Sequence, residues 1–497
     1  MKTVFVMLDS LNRHYLNAYG QSWVQTPNID RLAARGLVFD NHFCCSMPCM
    51  PARRDLFTGH ASFLETPWSP IQPWDDCLQP ELRRQSGTYS HMITDHYHYF
   101  HSGGEYYHTQ FDSWEFLRGQ EGDVWRSLVD EPPTLEYRGK NRRAYWANRA
   151  MMDTEHDEDY PTPQCFQQAI EFLNRNHSTD NWHLHVECFD PHEPFSCPQK
   201  YRDLYGDTWD GGYHFDWPDY AAVSEDQAAV EHIRKSYAGT LTMADVWLGK
   251  FLDKMDELNL WEDTVLVFST DHGHLLGEHG YWAKNYMFDY KELVHIPLIV
   301  CAPDTPARRV PALTSTLDLM PTLMELHGGE NPPAVNGRSL CHLLPGNRDH
   351  HDAVLYGYFG KDINLTDGHY TYCRQSLADS VAHHHTGAAS AFVDMATQQA
   401  PFVRRQQLAE AECGVFLDSA HNIPHYRFAV PSRRHQDAPD FNPIYDIIAD
   451  PEQAHPLHDD ALEARLARQM RDLLAHHGAP QSQFIRMGLK IDEPRRS

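Results

Sequence analysis

The chain opens with Thr3-Val4-Phe5-Val6-Met7-Leu8-Asp9, a short run of apolar and β-branched residues that ends in a carboxylate. Such a run is typical of a strand that is buried on both faces of a parallel sheet. Similar runs occur at residues 90–94, 183–189, 264–269 and 296–300, and stretches with helical spacing separate them. The alternation predicts an α/β fold, with a large, mainly parallel sheet flanked by helices.

Three more of these runs are followed closely by acidic residues or histidines. They lead into Asp95-His96-Tyr97-His98, Asp190-Pro191-His192 and Asp271-His272-Gly273. A single Asp after a strand is usually a helix cap or a turn residue. The carboxyl ends of parallel strands share the edge where α/β sheets bind ligands. Four such strand ends therefore predict one functional site at that edge.

The pattern changes near residue 350. Residues 353–358 and 370–373 read as antiparallel strands, and residues 376–415 read as helical or irregular. We predict a catalytic domain at 1–350 and a smaller C-terminal α+β subdomain at 351–497.

Composition excludes several classes of function. The chain has 42 basic and 69 acidic residues, a net charge of −27, which disfavours nucleic acid and anionic lipid as partners. No apolar run approaches the roughly 20 residues of a membrane span, and the N-terminus has no signal-peptide pattern. These features predict a cytoplasmic protein without a membrane partner. The odd number of cysteines, eleven, favours reduced thiols.

The segment with the clearest chemistry is Cys49-Met50-Pro51-Ala52-Arg53. Pro51 can begin a helix whose N-terminal amides face Cys49 and favour an anion there. On the residues alone, two other interpretations stay open. Cys49 could be a buried free cysteine, or it could bind metal with Cys44 and Cys45, although that spacing fits no usual zinc site.

This Cys-x-Pro-x-Arg pattern resembles the signature at which sulfatases have a cysteine oxidised to formylglycine. Further stretches resemble sulfatase landmarks in the expected order, at residues 16–20, 26–33, 190–195, 269–280, 318–322, 336–340 and 444–451. The chain is identified as a member of the sulfatase family, similar to iduronate sulfatases and phosphonate monoester hydrolases. The resemblance implies an alkaline-phosphatase-like fold with a small C-terminal subdomain.

The resemblance also implies one divalent metal ion, held by Asp9, the oxidised Cys49, Asp271 and His272. Oxygen ligands favour Ca²⁺, and the imidazole admits Mn²⁺. Many sulfatases have a second Asp directly after the first, but here position 10 is Ser. Either that ligand is missing, or Ser10 or Asn12 replaces it.

The implied reaction is hydrolysis of a sulfate monoester. One hydroxyl of the hydrated aldehyde attacks sulfur, and the second later expels sulfate. Arg53 and Lys284 would neutralise the sulfuryl oxygens, and His192 or His98 would act on the leaving alkoxide. The family's Gly-Lys-Trp-His stretch is replaced in this chain, which leaves open whether His96 or His98 faces the substrate.

The expected partners are a small-molecule or saccharide sulfate ester and a formylglycine-generating enzyme, and the sequence leaves a homo-oligomer open. The main alternative is a phosphonate monoester or phosphodiester hydrolase on the same scaffold, since Cys49 is shared with that group. A second alternative is a non-catalytic binding protein. The histidines at 350–351 and 383–385 lie in polar stretches, which predicts solvated surface and not metal sites.

Overall fold

The computed structural model describes residues 1–21, 23–387, 409–435 and 438–490. The strands in chain order are β1 (Lys2–Leu8), β2 (Leu37–Phe43), β3 (Ser46–Met47), β4 (Tyr89–Thr94), β5 (Ser113–Phe116), β6 (Trp182–Cys188), β7 (Thr264–Ser269), β8 (Leu275–Leu276), β9 (Trp282–Ala283), β10 (Leu298–Cys301), β11 (Arg308–Ser315), β12 (Val354–Tyr358), β13 (Ile363–Thr366), β14 (Tyr370–Arg374), β15 (Val381–Thr386), β16 (Glu412–Gly414), β17 (His425–Pro431) and β18 (Ile444–Asp446). The helices are α1 (Pro27–Arg35), α2 (Cys49–Thr58), α3 (Leu78–Ser86), α4 (Arg143–Arg149), α5 (Pro161–Asn176), α6 (Gln199–Asp203), α7 (Gln227–Glu257), α8 (Lys291–Val294) and α9 (Leu319–Leu326), followed by Asp460–His476 and Gln481–Arg486.

An eight-stranded sheet with the order β11-β2-β10-β7-β1-β6-β4-β5 forms the centre of the molecule. Strand β1 is parallel to both neighbours, so that Val6 lies opposite Val186 on one side and Phe268 on the other. Strand β4 continues the parallel arrangement beyond β6. The mainly parallel α/β sheet is therefore confirmed.

One strand departs from the predicted direction. β10 pairs antiparallel with β7 and with β2, and it begins at Leu298, not at Ile296. The backbone N–H of Ile296 donates to the carbonyl of His42, and Pro297 has no N–H to donate. Pairing with β7 therefore begins only after the proline.

The alternation of side chains along β1 divides the interior into two cores. Val4, Val6 and Leu8 pack on the face covered by α1, α5 and α7. Phe5 and Met7 pack on the opposite face, against α2. The result is a three-layer arrangement with helices on both sides of the sheet.

A second sheet has the order β18-β14-β13-β12-β3. The predicted antiparallel strands near 353–358 and 370–373 are present and are joined through β13. The interpretation of 376–415 as helical or irregular is wrong for β15 and β16, which both pair with β17. Residues 388–408 lie outside the described residues. The exact division at 350 stays a prediction.

The two histidine runs are not solvated surface, so that prediction is wrong. His384 and His385 are buried in β15, and only His383 is partly exposed. The side chain of His350 is fully buried beside Asp318. A polar sequence neighbourhood did not reveal this burial because the contacts come from distant parts of the chain. Among the described residues, no helix combines the length and the apolar character needed to cross a membrane.

Helix α2 is held in place by the carboxylate of Asp55, which is buried. Its oxygens accept hydrogen bonds from the backbone N–H and hydroxyl of Ser46, at 2.7 and 2.9 Å, and from those of Ser62, at 2.9 and 2.7 Å. One side chain thus connects β3, α2 and the turn after α2.

We expect Asp55→Ala to lower the free energy of unfolding by about 4 kcal/mol, since four hydrogen bonds are lost at about 1 kcal/mol each. Urea unfolding measures the change. The control is Asp253→Ala, which removes an exposed ion pair with Arg31 and should cost less than about 1 kcal/mol. Equal losses in the two variants would contradict this role for Asp55.

Candidate active site

The structure brings four potential metal ligands together at the carboxyl edge of the central sheet. Asp9 follows β1, Asp271 and His272 follow β7, and Cys49 is the first residue of α2. All four are buried, and one potential ligand atom from each lies within 4.8 Å of the others. These are the residues that the resemblance to sulfatases implies as ligands.

Ser10 connects the two carboxylates of this cluster. Its backbone N–H donates to Asp271 at 3.0 Å, and its hydroxyl donates to Asp9 at 2.8 Å. Ser10 adopts a positive φ of 60°, which allows both contacts from one residue. The side chain of Asn12 instead donates to the carbonyl of His274 and accepts from the N–H of His14. Of the two candidates for the missing acidic position, Ser10 is the one at the cluster.

The thiol of Cys49 lies against the imidazole of His272. The Sγ–Nε2 distance is 3.3 Å. The other ring nitrogen of His272, Nδ1, lies 2.8 Å from the carbonyl oxygen of Gly273, so Nδ1 carries the hydrogen. Burial lowers the pKa of His272 to about 3, which keeps the ring neutral. A neutral ring leaves Nε2 free to bind a cation, as metal binding requires.

The guanidinium of Arg53 is fully buried and forms ion pairs with three carboxylates. It donates to Asp9 at 2.7 Å, to Glu187 at 2.8 Å and to Asp271 at 2.7 Å, and also to the carbonyl of Cys49 at 3.1 Å. Its contacts are with protein acids, so its predicted role on sulfuryl oxygens stays a prediction.

Glu187 is a site residue that the sequence analysis missed. It lies in β6, fully buried, and accepts from Tyr99 as well as from Arg53. Its signal in the sequence is an acidic side chain inside a run that is predicted to be a buried strand. A buried acid needs a cationic partner.

The remaining predicted residues line the same region. The ammonium of Lys284 is buried and donates to the hydroxyl of Ser10 at 3.0 Å. The Nδ1 of His96 lies 3.8 Å from a carboxylate oxygen of Asp9. His98 is partly exposed, and its Nε2 lies 3.2 Å from a carboxylate oxygen of Glu121. Of the two histidines, His96 approaches the cluster.

His192 lies beside an acidic residue. Its Nδ1 is 2.7 Å from the carbonyl oxygen of Glu193, and burial lowers its pKa to about 4. The carboxylate of Glu193 lies 3.6 Å from His274 and 3.6 Å from Lys140. Lys140 was not predicted, because it lies far along the chain from every motif.

The donor set fits a divalent cation. Burial, together with the charge of Asp271, raises the pKa of Asp9 to about 8. The protein thus holds two carboxylates so close that ionising both is unfavourable without more positive charge. Carboxylate oxygens are ligands for Ca²⁺, and the neutral imidazole also suits Mn²⁺.

Comparisons with known proteins agree with this geometry. Residues 2–329 match the family model described as Sulfatase. The chain is 25% identical over 364 residues to an uncharacterized sulfatase, YidJ, of Escherichia coli (strain K12), covering 68% of this chain and 70% of the relative. It is 25% identical over 409 residues to iduronate 2-sulfatase of Homo sapiens, covering 67% and 74%. The crystal structure of a phosphonate monoester hydrolase of Agrobacterium radiobacter has a TM-score of 0.62 at 20% identity, over 96% of both chains. These matches confirm the predicted family and fold.

We expect Ca²⁺ to stabilise the protein, because a cation between Asp9 and Asp271 relieves the repulsion of two buried carboxylates. The gain is about 2.7 kcal/mol when Ca²⁺ is 100 times its Kd. Thermal unfolding with and without Ca²⁺ measures it. Asp271→Asn should lose most of the gain, whereas the exposed control Asp130→Asn should keep it. The same gain in Asp271→Asn would place the ion elsewhere.

Proposed function

Because the chain belongs to the sulfatase family, we propose that it hydrolyses a sulfate monoester with residue 49, matured to formylglycine, as the nucleophile. The observation that carries the proposal is the position of Cys49. It begins α2 within the cluster of Asp9, Asp271 and His272. The sulfatase activity itself rests on the family; the nucleophile and its ligands are our assignment.

The reaction needs more than a thiol at position 49. A formylglycine-generating enzyme would use an external two-electron oxidant to convert the Cβ of Cys49 to an aldehyde, with loss of the sulfur. Hydration then supplies two hydroxyls on one carbon. One hydroxyl bonds to sulfur while the ester oxygen leaves as the alcohol. The second hydroxyl then loses its proton, the carbon–oxygen bond to sulfate breaks, and the aldehyde re-forms. Serine or cysteine lacks the second hydroxyl and could not release sulfate in this way.

The surrounding residues orient the reacting groups. Arg53 holds Asp9 and Asp271 and bonds the backbone of residue 49, so it fixes the nucleophile and its neighbours together. When bound at this cluster, a divalent ion, Ca²⁺ or alternatively Mn²⁺, supplies positive charge that lowers the pKa of a hydroxyl and neutralises sulfuryl oxygens. Lys284 adds a buried ammonium beside Ser10.

The resemblance to sulfatases implies His192 or His98 as the group that acts on the leaving oxygen. Burial lowers the pKa of both. Near neutral pH both rings are therefore mostly uncharged. An uncharged imidazole carries a hydrogen on only one of its two nitrogens and can donate only from that nitrogen. In His192 that nitrogen faces the Glu193 carbonyl. We therefore give Lys284 the main share in stabilising the departing alkoxide.

For the substrate we propose a saccharide sulfate ester, by analogy with the human relative, iduronate 2-sulfatase. The aromatic ring beside Lys140 supports a saccharide: the Lys140 ammonium lies 3.5 Å from the ring centre of Tyr220, which is partly exposed. Amphipathic aromatic side chains pack well against sugar rings. The cytoplasmic location and a homo-oligomer stay predictions.

A phosphonate monoester hydrolase is the second candidate, because such an enzyme of Agrobacterium radiobacter has the same fold. Sulfate monoesters and phosphonate monoesters both carry one negative charge. The charge of the site therefore disfavours phosphate monoester dianions but does not separate these two classes.

We expect peptide mass spectrometry of active protein to find residue 49 as aldehyde or hydrate. Cys49→Ala should lower turnover of 4-nitrophenyl sulfate roughly 10⁴-fold, because the nucleophile is removed. Its thermal stability should change little. Cys413→Ala, at an exposed cysteine, is the control and should keep full activity. Full activity in Cys49→Ala would end the sulfatase mechanism proposed here.

We expect kcat/KM to be higher for aryl sulfates than for matched aryl phosphonate esters. Because both esters carry one negative charge, the expectation rests on the family assignment, which favours sulfate. The measurement uses fully matured enzyme of known metal content. A ratio clearly in favour of the phosphonate would move the protein to the second candidate function.

A further inference from the structure

A second group of metal-binding side chains lies outside the candidate active site. Asp318 precedes α9, and His350 and His351 precede β12. The Nε2 of His350 is 3.0 Å from one carboxylate oxygen of Asp318, and the Nε2 of His351 is 2.9 Å from the other. The side chains of Asp318 and His350 are fully buried. Bulk water therefore does not reach the space between them.

Metal binding through the Nε2 of His350 requires that its neutral ring carries the hydrogen on Nδ1. That hydrogen has an acceptor within reach, because the Nε2 of His342 lies 3.4 Å from the Nδ1 of His350. The ring nitrogens of His342 also lie 2.9 Å from the carbonyl oxygen of Ser339 and 3.2 Å from that of Asp349. In this tautomer of His350 its Nε2 presents a lone pair toward Asp318, and Nε2 has no hydrogen-bond partner among the described residues.

In that tautomer the lone pair lies 3.0 Å from a carboxylate oxygen of Asp318, a repulsive contact that a cation between the two atoms makes favourable. The carboxylate is fixed from its other side, by the backbone N–H of Ser315 and that of Arg338, both at 2.8 Å. Such outer hydrogen bonds are typical of carboxylates that bind metals. The acid cannot turn away from the histidines without losing them.

Two imidazole nitrogens and a carboxylate are a donor set that Zn²⁺ binds at about 2.0–2.2 Å. Neighbouring ligands at such bond lengths lie roughly 3 Å apart, which matches the two distances from Asp318. Ca²⁺ and Mg²⁺ prefer sets composed of oxygen. The chemistry therefore favours zinc over the ion expected at the active site.

We propose that Asp318, His350 and His351 form a structural Zn²⁺ site, separate from the catalytic cluster. Cys49 begins α2, whereas Gly59, just after its end, accepts from the backbone N–H of Gly337, next to Arg338. The ten residues of α2 span roughly 15 Å, so the two sites lie near opposite ends of this helix. The zinc would tie the end of β11 to the segment that leads into β12, at the junction of the two predicted domains.

The test is a zinc titration of chelator-treated full-length protein, with millimolar Ca²⁺ present to compete at the catalytic cluster. Bound zinc is counted by elemental analysis after dialysis. The variants are His351→Gln and His350→Gln/His351→Gln. The matched control is His369→Gln, which removes an exposed histidine 3.1 Å from a single acid, Asp446. Any zinc at the catalytic cluster is common to all these proteins and cancels in the comparison.

We expect wild type and His369→Gln to bind one more equivalent of zinc than the double variant. Zinc should raise the Tm of wild type and of the control by more than it raises the Tm of the variants. Co²⁺ should give wild-type protein a visible absorption band that is absent in His351→Gln. This single variant changes a partly exposed side chain, so it can be used if the double variant does not fold. Equal zinc content and equal Co²⁺ spectra in all variants would overturn the proposal. That result would mean that hydrogen bonds, and not a metal ion, join these histidines to Asp318.

Discussion

The structure depends on one buried cation, the guanidinium of Arg53. Three strands end near it, and each delivers a carboxylate that no water reaches: Asp9 from β1, Glu187 from β6 and Asp271 from the end of β7. Burying three acids without compensation is prohibitively unfavourable. Arg53 and Lys284 supply two positive charges against three negative ones. This balance leaves the site suited to one further divalent cation and one singly charged substrate group. With a divalent cation bound, this site carries net positive charge, so a protein with a net charge of −27 can bind an anion there.

Helix α2 transmits this arrangement to the nucleophile. Arg53 lies one turn after Cys49 and bonds its carbonyl, so the charge cluster and the reactive side chain are parts of the same helix. Asp55, on that helix, ties it to β3 and to the turn that follows α2. β3 in turn belongs to the C-terminal sheet, beside β12. The smaller sheet therefore helps to position Cys49, and it is not an independent appendage.

The far end of α2 is the other place where distant segments meet. Gly337 must approach the carbonyl of Leu317 closely, since a Cβ on Gly337 would lie 1.8 Å from that oxygen. The close approach brings Arg338 to Asp318, and the histidines before β12 complete the group. The two candidate metal sites thus lie near opposite ends of the same helix: its N-terminus presents the nucleophile, and its C-terminus packs against the junction of the two predicted domains.

The sequence by itself determined what depends on local pattern. The run at 264–269 became β7 with the same limits, and the four acidic strand ends met at one edge because parallel strands place them there. Only the tertiary structure decided the direction of β10, the pairing of Glu187 with Arg53 and the burial of His350. It also placed Ser10, and not Asn12, in contact with Asp9 and Asp271. Periodicity and motifs report neighbours within a turn or a strand, whereas these outcomes come from side chains that are far apart in sequence and meet only when the sheets and helices pack.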